Sequence, residues 1–88
     1  MTVDDGARRA LVERQTSLLP AGVVEVSGAF GSGDTIDVAG TDGVAFARGM
    51  VFVEAAQLRR VAGRHTSELP PGMAHEVIHR DDLVLLPG

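Results

Sequence analysis

Turn formers interrupt this chain so often that no element in it can be long. Pro20 and Gly22 come early, glycines cluster in residues 28–33, Asp42-Gly43 is a turn dipeptide, and Gly63 ends an alanine-rich stretch. Pro70-Pro71-Gly72 then bars any helix through the following loop. Between these breaks the sequence leaves room for short strands and two short helices.

The first helix starts at Asp4 and Asp5, whose carboxylates can cap free N–H groups and complement the dipole, and runs to about Gln15. Ala7, Ala10 and Leu11 follow i, i+3, i+4 spacing, which leaves Arg8, Arg9 and Glu13 toward solvent. GVVEVSG reads as a strand with Val24 and Val26 inward and Glu25 outward, and a turn follows at residues 28–33. DTIDVAG repeats the alternation with Ile36 and Val38 on one face, before Asp42-Gly43, and this spacing fits a β-hairpin.

VAFARGMVFV places Val44, Phe46, Met50 and Phe52 on one face and Ala45, Ala47 and Gly49 on the other. Arg48 interrupts the larger face and so belongs near an edge or snorkels. EAAQLRRVAG is the second helix, with a stripe of Ala55, Leu58, Val61 and Ala62 stopped by Gly63. Two β-rich runs, residues 76–78 and 83–86, flank the turn former Asp81-Asp82. The pattern predicts a mainly β chain with two short helices, folded as a small, partly closed barrel.

Eighty-eight residues suffice for one modest core, so residues 1–88 are expected to form a single domain. Hydrophobic residues at 44% and charged residues at 23% place the chain among globular sequences rather than disordered ones. It has no cysteine, which removes disulfides and thiolate metal ligation and makes a cytoplasmic location the default. No segment approaches the roughly 18 apolar residues of a membrane span, so no membrane partner is expected. The net charge is −4 and all eight basic residues are Arg, so the summed field opposes a phosphate backbone unless a local Arg patch attracts one.

His75-Glu76-Val77-Ile78-His79 matches the His-Glu-x-x-His pattern, which binds zinc only when a helix brings both imidazoles to one ion. Here Gly72 and Asp81 confine the segment and Val77-Ile78 is β-branched, so a strand is expected. In a strand the two histidines stand about 13 Å apart at roughly 3.3 Å per residue, beyond the reach of a shared tetrahedral ion. No metal site is expected, and both histidines read as partly exposed strand residues.

Gly31-Ser32-Gly33-Asp34 lacks the Lys and flanking helix of a phosphate-binding loop and reads as a hairpin turn. No serine sits in a Gly-x-Ser-x-Gly elbow, so no catalytic residue is assigned. Arg59, Arg60 and Arg64 end the second helix, where cations complement the dipole, and anion binding is the functional alternative for them. With no Tyr or Trp and three Phe at positions expected to face inward, there is no stacking platform for single-stranded nucleic acid.

The segments TVDDGARRAL, SLLPAGVVEVSGAF, GD at residues 33–34, ARGMV, RRVAGRHTSEL and EVIHRDDLVLL together resemble the PUA domain, the small RNA-binding module named for pseudouridine synthases and archaeosine transglycosylases. The resemblance is closest to the C-terminal PUA domain of bacterial glutamate 5-kinases and covers almost all of the chain. It implies a small mixed-strand pseudo-barrel of about five or six strands with two helices. It also implies a parent enzyme that transfers the γ-phosphate of ATP to the side-chain carboxylate of glutamate, the first step of proline biosynthesis. ATP and Mg would belong to a separate amino-acid kinase domain preceding this one, so the chain itself would need no cofactor and perform no catalysis. Met1 would then have been supplied where the domain was excised.

In RNA-binding PUA domains the first helix, the loop after it and the last strand form the nucleic-acid face, which maps onto Arg8, Arg9, Leu18, Gly22 and Arg80. The chain departs from the family where it has FVEAA and PPGM in place of an aromatic with Ser residues and a Leu-Gly-Tyr segment. Two functions follow. One is an accessory domain serving regulation, stability or subunit contacts, with the kinase domain of its own chain and homo-oligomer contacts as partners. The other is an RNA-binding module, which the acidic balance and absent aromatics oppose.

Overall fold

The computed structural model describes residues 1–65 and 76–87. Five strands form one mixed sheet: β1 (Thr2–Val3), β2 (Val23–Glu25), β3 (Thr35–Ala39), β4 (Ala45–Val51) and β5 (Ile78–Leu85), in the order β2-β1-β3-β4-β5. The β1–β3 pairing is parallel and the other three are antiparallel. Leu18, on the segment that leads into β2 at one end of the sheet, bonds to the start of β5 at the other end. Its N–H donates to the Ile78 carbonyl at 2.9 Å, and its carbonyl accepts from Val77 at 2.7 Å. That bridge curls the sheet into the expected pseudo-barrel.

Helix α1 (Asp5–Arg9) begins where the two aspartates predict: Asp4 is the N-cap, and its carboxylate accepts from the Ala7 N–H at 2.7 Å. The helix continues as a π-helix through Ala10–Arg14 and stops at Gln15 with φ 52°. Leu11 is buried beneath it, and Arg9 and Glu13 face solvent. Helix α2 (Ala55–Val61) buries Ala55, Leu58 and Val61 and ends before Gly63 at φ 82°. Gly63 N–H donates to the carbonyl of Pro20, which opens a 3-10 turn at Pro20–Gly22, so α2 is tied to the turn that follows Leu18. Val3, Leu18, Val38, Val51, Leu58, Val77 and Ile78 fill the interior with almost no exposure.

The structure corrects the strand reading in four places. The hairpin forms across Asp42-Gly43, between β3 and β4, whereas the residue 28–34 turn joins strands that are not neighbours, because β1 lies between β2 and β3. In β2 it is Val23 that is buried, while Val24 is 58% exposed. In β4 the inward face is the small one, Ala47, Gly49 and Val51, and of the three Phe only Phe46 is buried, Phe52 being exposed. Close-packed barrel interiors accept small side chains where strands crowd together, so side-chain size misassigned the face.

The fourth correction concerns Asp81-Asp82, which does not end a strand. Residues 78–85 are continuous, but between the pairs Ile78–Val51 and Leu83–Gly49 the residues 79–82 stand against Met50 alone. What reads as a turn is a register irregularity within one continuous strand, past which the pairing resumes.

Candidate functional site

The face implied by the resemblance is built around α1. Between α1 and the Leu18–Gly22 stretch lies a cleft of about 370 Å³, lined by Asp4, Ala7, Leu11, Ser17, Leu18 and Gly22 among others. An adjoining groove of about 350 Å³ runs between the C-terminal end of the π-helix and β5, lined by Leu11, Gln15, Thr16, Arg80, Leu83, Val84 and Leu85. Ser17 fixes its corner, its hydroxyl oxygen accepting from the Arg80 N–H at 3.0 Å.

The five mapped residues do not make one patch. Leu18 is 1% exposed and belongs to the core. Gly22 is a packing position: a Cβ there would lie 2.5 Å from the Cβ of Ala7, so the missing side chain is what lets the 3-10 turn touch α1. Arg80 projects at the groove, its side chain 67% exposed and 4.0 Å from the Asp81 carboxylate. Arg8 and Arg9 line a different depression with Asp5, Val12 and Glu13.

Arg8 is already engaged. Its guanidinium sits 4.9 Å from the Phe46 ring centroid and donates to Asp42 at 3.3 Å, while Thr41 donates to Asp5 at 3.2 Å. These contacts bind α1 to the β3–β4 turn, a latch that sequence reasoning missed although Thr41-Asp42-Gly43 carries its turn signal. The Asp42 carboxyl is held below its ordinary range, chiefly by the Val44 N–H and then by Arg8. On the outer sheet face Arg48 donates to Asp37 at 2.7 Å, lowering the Asp37 carboxyl and raising the Arg48 guanidinium. Arg8 and Arg48 are therefore committed to carboxylates. Arg9 and Arg80 are the mapped cations left most accessible to an external anion.

His79 lies in β5, half-exposed, with Nδ1 3.1 Å from the Asp81 N–H, and His75 falls outside the described residues. The strand at His79 removes the helical geometry that the zinc pattern requires. Among the described residues no three His, Asp or Glu side chains gather as metal ligands would, and no helix is long and apolar enough to cross a membrane.

A five-stranded mixed sheet closed by the Leu18–Ile78 bridge, with two short helices packed on it, is a fold this chain shares with known proteins. The chain matches the PUA domain model over residues 1–73. It belongs to the PUA domain family. A conserved PUA domain protein from Thermoplasma acidophilum superposes with a TM-score of 0.64 at 28% identity, covering 89% of this chain and 46% of that one. A PUA domain from Aeropyrum pernix K1, solved with tartrate, gives 0.68 at 29% identity over 90% of this chain and 41% of that one.

Among curated proteins this PUA domain is 49% identical to the glutamate 5-kinase of Streptomyces avermitilis, over 98% of this chain and 24% of that protein. It is 48% identical to that of Mycobacterium avium, over 96% and 23%, and 44% identical to that of Myxococcus xanthus, over 98% and 24%. The chain thus spans about a quarter of the length of the curated relatives it matches.

Proposed function

We propose that this PUA domain is the C-terminal accessory domain of a glutamate 5-kinase, where it serves regulation, stability or subunit contacts and leaves phosphoryl transfer to the kinase portion. The observation that carries this reading is identity of 44–49% to glutamate 5-kinases across nearly the whole domain. The alternative, RNA binding, draws support from the fold analogy and from the accessible Arg9 and Arg80. Against it stand the net charge of −4 and the commitment of Arg8 and Arg48 to Asp42 and Asp37.

The parent chain tests the accessory role. Deleting residues 1–88 from the full-length kinase is expected to change its inhibition by proline, its oligomeric state or its thermal stability, with the ATP and Mg sites left intact. A truncated kinase identical to the whole in all three, measured by steady-state kinetics, light scattering and thermal melting, would refute it.

A further inference from the structure

The outer face of β3–β4–β5 carries a further depression, which shares Val84 with the groove beside the π-helix. It measures about 360 Å³ and is lined by Thr35, Arg48, Gly49, Met50, Asp82, Val84 and Leu86. Cross-strand register sets the face: Thr35 stands opposite Met50, Asp37 opposite Arg48, and Arg48 opposite Val84. Val84 is 65% exposed, the most exposed large apolar side chain among the described residues. Met50 and Leu86 beside it are only partly covered, and Asp37–Arg48 and Asp82 surround this apolar floor with charge. An apolar centre inside a polar rim is the anatomy of a protein–protein contact, and its two carboxylates disfavour a phosphate backbone.

The N-terminus points to the occupant. Met1 lies against β3: its ammonium donates to the Asp37 carbonyl at 3.2 Å, and its carbonyl accepts from the Ala39 N–H at 2.8 Å. In a parent of which this domain forms the C-terminal quarter, the preceding polypeptide enters the sheet next to the residue that holds Arg48 on the rim. A short connection would hold that polypeptide at high effective concentration over this face.

We infer that the Met50–Val84–Leu86 depression is where the kinase portion of the same parent chain docks, seating an apolar side chain over Val84 with polar partners for Arg48 and Asp82. The inference rests on the parentage proposed above. Because Val84 also lines the groove beside the π-helix, docking would cover one wall of that groove and compete with a ligand held there.

The absence of cysteine from the 88 residues makes the test direct. Val84→Cys and, as a reference in the remote turn, Ser32→Cys are each placed in the 88-residue chain and in the full-length kinase, and maleimide labelling is followed by peptide mass. The thiol of the Val84→Cys variant is expected to react about tenfold or more slowly in the full-length kinase, where undocking must precede reaction. The thiol of the Ser32→Cys variant should react alike in both. Equal rates for the Val84→Cys variant in the two chains would overturn the docking site and leave the parentage standing. Protection that appears only when RNA is added would overturn it in favour of a nucleic-acid face. A coding sequence with no kinase upstream of residue 1 would remove the parentage and this inference together.

Discussion

Leu18→Ala is expected to destabilise the domain by about 2–5 kcal/mol, the range for removing a buried leucine from a packed core. Leu18 is 1% exposed and sits at the bridge that closes the barrel. Its main-chain bonds to Val77 and Ile78 survive in the alanine variant, so the loss reports the side chain alone. A domain of this size has total stability of about 5–15 kcal/mol, and at about 4–8 °C per kcal/mol the variant should melt about 8–40 °C lower. Urea and thermal unfolding measure it. A loss below about 1 kcal/mol would mean that Leu18 acts as a surface residue, as its place in the RNA-face mapping implies.

Gly22→Ala carries the second large effect. The added methyl would meet the Ala7 Cβ at 2.5 Å and lie 3.8 Å from Leu18, so α1 must move off the 3-10 turn. Overpacking of this kind costs about 1–3 kcal/mol. The clash has one main partner, which makes it reversible in a double-mutant cycle. Ala7→Gly alone should cost about 1 kcal/mol for glycine within a helix. In the pair it should recover most of the Gly22→Ala loss, giving a clear non-additive term. Strict additivity would show that Gly22 is not held for this close approach. Both variants recast mapped face residues as parts of the framework that positions α1.

The two helices were legible because caps and spacing act locally: Asp4 and the Ala7-Ala10-Leu11 stripe needed no knowledge of the rest of the chain. The strands were legible as segments but not in their pairing. Thr2–Val3 is too short to show alternation, yet as β1 it separates the two strands that the spacing would join. Asp81-Asp82 carries a true turn composition, and only the pairing of Leu83 with Gly49 reveals that the strand continues past it. Arg8 likewise looks like a solvent-side cation on its helix, and its partners Asp42 and Phe46 lie more than thirty residues away in sequence. Composition already carried the electrostatic argument, since eight Arg among twelve carboxylates are easily paired.

On the function proposed above, this PUA domain serves its own polypeptide rather than RNA. Titrating the labelled 88-residue chain with structured RNA at low salt, where counterion release makes phosphate contacts strongest, tests that most directly. No mobility or anisotropy shift is expected even there. A saturable shift that weakens steeply with added salt and is reduced by Arg80→Ala would contradict it.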